Sequence, residues 1–232
     1  MEDIQNPGRR QLLAAAFLPE LERLLKPLMP KPDAFNEWFQ AVRLDDVSRC
    51  KALLSRGFDP NTVEPERFDT GLILAVREKS SRVFSLLLDT PGIHLDARSR
   101  NGDTALMIAA YLSDPVTALA LIEKEAEINR PGWTALHYAA ASGSVAIVRS
   151  LLDHAAYIDA ESPNQTTPLM MAARAGHKAV VLLLLEEGAD ASLKNALGLT
   201  AADFARSQGQ LELVTLLEIP KRTEIAPATP ED

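Results

Sequence analysis

Four histidines, one cysteine and adjacent carboxylates are the side chains of this sequence best equipped for acid–base, nucleophilic or metal chemistry. The histidines are His94, His137, His154 and His177, the cysteine is Cys50, and the carboxylate pairs include Asp45-Asp46 and Glu186-Glu187. Catalysis needs such groups at set spacings, and no such spacing is present. The sequence has no G-x-S-x-G, no phosphate loop, no G-x-G-x-x-G, no H-E-x-x-H and no Ca²⁺ loop. A single cysteine excludes an internal disulfide and a zinc–cysteine framework. No catalytic, cofactor-binding or metal-ligating residue is therefore assigned, and the chain is not expected to be an enzyme. The carboxylate pairs read as solvated faces. Asn164-Gln165-Thr166 fits the glycosylation sequon, a triplet that is common by chance.

The elements that carry these residues repeat. Pro131 to Asp159 reads as two short helices back to back. Thr134 suits an N-cap, because its hydroxyl can accept from an early unpaired backbone N–H. Ala135 to Ala140 forms a short helix of small residues, a composition that favours helix and lets a neighbour approach closely. Gly143 ends it in the left-handed conformation that costs glycine least. Val145, Val148, Leu151 and Leu152 then follow the period of a second amphipathic helix. Helices of about two to three turns are too short to be stable alone in water, so the unit needs copies on either side.

The copies begin at Thr70, Thr104, Thr134, Thr167 and Thr200, at intervals of 34, 30, 33 and 33 residues. Two positions later come Leu72, Leu106, Leu136, Leu169 and, as the exception, Ala202. Leu87, Leu121, Leu151, Leu184 and Leu217 stand seventeen positions after the threonines. Gly143, Gly176 and Gly209 occupy the turn slot, which holds Lys79 in the second unit and falls in Ser113-Asp114-Pro115 in the third. Several registered positions at such a period mark a solenoid.

TALHYAAASG at Thr134–Gly143 and TPLMMAARAGH at Thr167–His177 resemble the ankyrin-repeat motif T-P-L-H-x-A-A-x-x-G-H. The resemblance covers roughly Glu37 to Leu217. It implies an all-α solenoid of about six stacked helix-turn-helix units with short hairpin loops and a concave partner-binding face. By the same resemblance, His137 would bond backbone near a hairpin, and His177 would follow the turn glycine.

The units are read at about 36–61, 66–97, 100–129, 130–159, 162–191 and 195–218, within a repeat domain spanning 36–218. In the first, Asn36 takes the threonine slot as N-cap. Cys50 takes the slot held later by Val148, Val181 and Val214, which marks it as a small buried hydrophobe. The polar first and last units suit caps. Residues 1–35 are read as an N-terminal helix and linker. Leu13, Phe17, Leu21, Leu24 and Leu28 follow helical spacing, while Arg9-Arg10 ahead of an apolar run resembles a degenerate export signal. Both readings stay open at this stage, so the expected location is cytoplasmic, with a periplasmic or exported alternative. Residues 219–232, proline-rich and polar, are expected to be disordered.

A net charge of −8 and a pI near 5.1 argue against nucleic acid and anionic membranes as partners. No run is long and apolar enough for stable membrane insertion. No cofactor and no small-molecule substrate is implied, and a monomer is expected.

The expected function is a protein–protein interaction module, with an exported accessory protein that protects or assists an enzyme as the alternative. Carried over by position from the family, the concave face would include Arg77, Glu78, Asp103, Tyr111, Leu112, Trp133, Asn164, Arg174, Leu197 and Leu199, together with Asp69, Arg130 and Thr166. The link from Asn129 to Thr134 is three residues shorter than that from Asp96 to Thr104, and it carries Trp133. That tryptophan reads either as tucked against its own repeat or as an exposed anchor. Tyr111, Leu112 and Trp133 would form the apolar centre of a polar-rimmed interface.

Overall fold

The computed structural model describes residues 32–218. The N-terminal stripe, the alternative export signal and the tail beyond 218 lie outside the described residues. Within them, twelve helices form six pairs: α1 Pro32–Arg43 and α2 Val47–Ser55; α3 Gly71–Arg77 and α4 Ser81–Leu88; α5 Ala105–Tyr111 and α6 Pro115–Glu123; α7 Ala135–Ser142 and α8 Val145–Asp153; α9 Pro168–Ala175 and α10 Lys178–Glu186; α11 Ala201–Ser207 and α12 Leu211–Glu218. The fold is all-α, and one isolated antiparallel bridge, Val63 with Thr70, marks a hairpin between units.

The opening threonines set each unit's start. Thr70, Thr104, Thr167 and Thr200 accept through Oγ1 from the backbone N–H three residues on, at 3.3 to 3.4 Å. The residue at that third position reaches back in return. Met107 and Met170 sulfurs, His137 Nδ1 and Asp203 Oδ2 each accept from the threonine's own N–H. Asp203 breaks the sequence motif yet performs the motif's capping job. The hydrogen bonds from Thr200 hold its carboxyl below the usual carboxylate range.

The turn between the two helices needs a left-handed residue in every unit. Gly143, Gly176 and Gly209 adopt φ of 78°, 77° and 71°, but Asp45, Lys79 and Ser113 hold the same slot at 52°, 58° and 52°. At Gly143 there is a second constraint. A Cβ there would stand 2.6 Å from His177 Nδ1 of the next unit.

The first helices α1, α3, α5, α7, α9 and α11 pack successively into one row, and the second helices pack behind them. Small residues allow close approach: Ala109, Ala110, Ala139, Ala140, Ala172, Ala173 and Ala205 are fully buried in the first row. Leu87, Leu121, Leu151 and Leu184 are fully buried in the second. The core is thus continuous along the stack and has no single centre.

Polar staples tie the loops together. Asn61, Asp96, Asn129 and Asp159 side chains accept from the backbone N–H of His94, Glu127, Tyr157 and Asp190, each in the following unit. Hairpins join directly where Arg100 N–H meets Arg67 O at 2.6 Å and Ala196 N–H meets Asn164 O at 3.0 Å.

Two sequence expectations change here. Helix α1 begins at Pro32 and runs through Asn36, so Asn36 is an exposed helical residue rather than an N-cap. Proline suits a first helical turn because it has no N–H to leave unpaired. The pair Asp45-Asp46 is also more than a solvated face. Asp46 caps α2 by accepting from Arg49 N–H, and Asp45 accepts from Val83 N–H at 2.8 Å and pairs with Arg82 of the next unit.

Leu151→Ala should cost about 2–5 kcal/mol through the cavity it leaves, read as a lower urea midpoint; a midpoint equal to wild type would contradict its place in the core. Lys79→Gly should stabilise the chain by roughly 0.5–1 kcal/mol, because it relieves the left-handed strain of an exposed lysine. Thermal unfolding that moves downward instead would disprove that account.

Candidate protein-binding surface

Three of the four histidines and the cysteine are engaged or buried within the stack. His137 is fully buried. Its Nδ1 accepts from Thr134 N–H at 3.2 Å and lies 2.9 Å from the Thr134 hydroxyl. Its Nε2–H donates to Thr166 O of the next hairpin at 2.8 Å. Desolvation pushes its pKa down to about 4, so the ring is neutral. His177 Nε2–H donates to Ala141 O at 3.0 Å, which joins the fourth and fifth units. His154 Nδ1 bonds Ser150 O. Cys50 is buried, and desolvation pushes its thiol up to about 11, away from thiolate chemistry. No group of three or more metal-ligating side chains converges among the described residues.

The distinctive surface is aromatic and spans the third to fifth units. Tyr111 ends α5 and is 64% exposed. It stands edge-on to Tyr138 of α7, with ring centroids 6.4 Å apart. The Tyr138 hydroxyl donates to Asp103 Oδ1 at 2.6 Å, and burial followed by this bond raises its pKa. Trp133, on the shortened hairpin, stands edge-on to His137 at 5.2 Å and to Tyr138 at 6.5 Å. It is 37% exposed. The ring therefore packs on its own repeat, as one of the two sequence readings has it, and leaves part of its surface open to solvent. Trp133, His137, Tyr138 and Met171 line a pocket of about 160 Å³ whose walls are almost wholly apolar.

The other nominated residues scatter around this centre. Leu112 is half-buried against the core, so at this position Tyr111 is the side chain that faces outward. Arg77 is half-buried and makes two bonds, at 2.8 and 3.3 Å, to a fully buried Asp69. Glu78, Asn164 and Arg174 are exposed, and Asp103 is half-buried. Leu197 and Leu199 are exposed on the last hairpin.

Three of the carried-over positions are buried instead. Asp69 is covered by its pairing with Arg77. Thr166 is held by His137 through its carbonyl and by Ser162 Oγ through its N–H. The Arg130 guanidinium is buried, with Glu127 3.7 Å away. Tyr138 and Met171 were not nominated, although each follows its threonine by four residues. That shared offset was the available signal, because it puts both on the side of the first helix next to Trp133.

A family model described as Ankyrin repeats (3 copies) matches residues 38–131, 72–162, 120–195 and 156–225. The chain is 27% identical over 218 residues to human SH3 and multiple ankyrin repeat domains protein 2, covering 78% of this chain and 12% of that protein. It is 33% identical over 135 residues to human Neurogenic locus notch homolog protein 1, covering 57% of this chain and 5% of that one. It is 28% identical over 178 residues to mouse B-cell lymphoma 3 protein homolog, covering 74% and 39%. The chain thus spans well under half the length of these relatives. Among the described residues, no helix is long and apolar enough to cross a membrane.

The buried neutral imidazole has a consequence for stability. Between pH 6.5 and about 4 the unfolded chain protonates His137 while the folded chain does not, so stability falls as pH falls through that window. Each pH unit costs up to about 1.4 kcal/mol at this one site. In urea titrations at pH 7 and pH 5, wild type should lose more stability than His137→Gln; equal losses would show that the ring is not held neutral.

Proposed function

The chain belongs to the ankyrin-repeat family, and on that premise we propose that it is a non-enzymatic adaptor that grips a partner protein along the first-helix row and the hairpins. Ankyrin repeats are generally protein–protein interaction modules. The observation that carries the reading for this chain is the aromatic cluster Tyr111–Trp133–Tyr138 beside an apolar pocket. Aromatic side chains that are partly exposed yet fixed by neighbours bury much area on binding and lose little conformational freedom, so they dominate interface energetics.

The rest of the surface suits the rim of such an interface. Glu78, Asn164 and Arg174 are exposed and polar, and Leu197 and Leu199 extend the apolar area toward the last unit. The stack that carries them is stapled at every level, so little ordering cost remains to be met on association. The histidines and the cysteine are each buried or committed to backbone, apart from the exposed His94, and this supports a binding role over a chemical one.

Trp133→Ala should weaken partner capture by about 2 kcal/mol, roughly 30-fold, with little change in melting. The comparison is affinity capture from the source cells with wild type, Trp133→Ala and Tyr111→Ala as baits. Equal recovery of the same proteins by all three, with unchanged unfolding curves, would remove this cluster from the interface.

A further inference from the structure

The apolar pocket stands between two opposite charges. On one side, Tyr138 lines the pocket and its hydroxyl engages Asp103 Oδ1, while the exposed ring of Tyr111 stands edge-on to Tyr138. On the other side, Met171 lines the pocket, and Arg174 is exposed three residues further along α9, on the same helix face. His137 adds no charge to the walls, because both ring nitrogens are engaged with Thr134 and Thr166. An apolar cavity of about 150 Å³ accommodates a benzene ring, so this pocket takes one side chain of the size of leucine, methionine or phenylalanine.

We propose that the pocket is the central subsite for an extended peptide segment of the partner, with an apolar anchor in the pocket, a lysine or arginine on the Asp103–Tyr111 side and an aspartate or glutamate on the Arg174 side. This rests on the protein-binding reading above and specifies the partner's chemistry. The spacing follows from the stack. Packed helices lie about 8–10 Å apart and an extended chain advances about 3.3 Å per residue. The basic residue therefore stands about three positions from the anchor, whereas Arg174, one helical turn from Met171 on the same helix, places the acidic residue about one or two positions from it. The basic side chain lies across Tyr111, whose ring face attracts a cation, and its tip reaches the Asp103 carboxylate. Asp103 and Arg174 together make the pattern polar along its length, which a purely apolar pocket would not.

The test is selection of a displayed random-peptide library against the full chain, in parallel with Arg174→Glu and Met171→Trp. Wild type should enrich peptides with an apolar residue flanked by a basic residue on one side and an acidic residue on the other. Arg174→Glu, a change at an exposed position, should replace the acidic preference with a basic one and bind the wild-type peptides about fivefold more weakly. Met171→Trp fills the pocket and should lose the apolar preference while unfolding as wild type does. Enriched peptides without the pattern, or with affinities unchanged in Arg174→Glu, overturn the proposal. If such peptides still lose binding on Tyr111→Ala, the adaptor reading survives and only the subsite chemistry falls. A library that yields no binder at all overturns the peptide subsite, and the capture experiment with Trp133→Ala and Tyr111→Ala then decides the adaptor reading separately.

Discussion

No unit of this chain can hide its own apolar surface. A pair of helices of seven to nine residues, such as α7 and α8, leaves the faces of both helices open above and below, and isolated helices of that length do not persist in water. Burial comes from the neighbours. The buried alanines of α5, α7 and α9 let the first helices press against one another, and Leu121, Leu151 and Leu184 close the row behind them. Stability is therefore a sum of interfaces between units, and the first and last units must differ because each lacks one neighbour.

Hydrogen bonds supply the register that burial alone would leave loose. Apolar faces slide, whereas directional bonds do not. Each Asn or Asp staple fixes one loop against the next, and His137 and His177 bind one unit to the backbone of another. His137 also shows how completely a reactive side chain can be absorbed by a fold. Both nitrogens are engaged and burial holds it neutral, so a group suited to acid–base work serves as a structural pin.

The proposed binding surface lies where the regular pattern is broken. The hairpin ahead of the fourth unit is shortened, and it carries Trp133, whose ring stands over His137 and Tyr138. Tyr138 of the fourth unit is then tied to the third unit twice, by the Tyr111 ring and by the Asp103 carboxylate. Rigidity matters because a surface already held in place keeps more of its contact energy as affinity.

The sequence by itself determined the units. The threonine caps, the turn slot and the buried leucines depend on spacings of three or four residues within one helix or turn, and such local geometry follows from the backbone. The small buried role of Cys50 was legible for the same reason. What only the tertiary structure decided was exposure. Asp69, Arg130 and Thr166 occupy nominal surface positions but are buried, Asp69 against Arg77 and Thr166 against His137. The pocket joins Trp133 and Tyr138 to Met171 of another unit. Whether a side chain at a given repeat position meets water or a neighbour depends on how each loop folds back and on the residues of the adjacent unit, which the spacing that defines the repeat does not set.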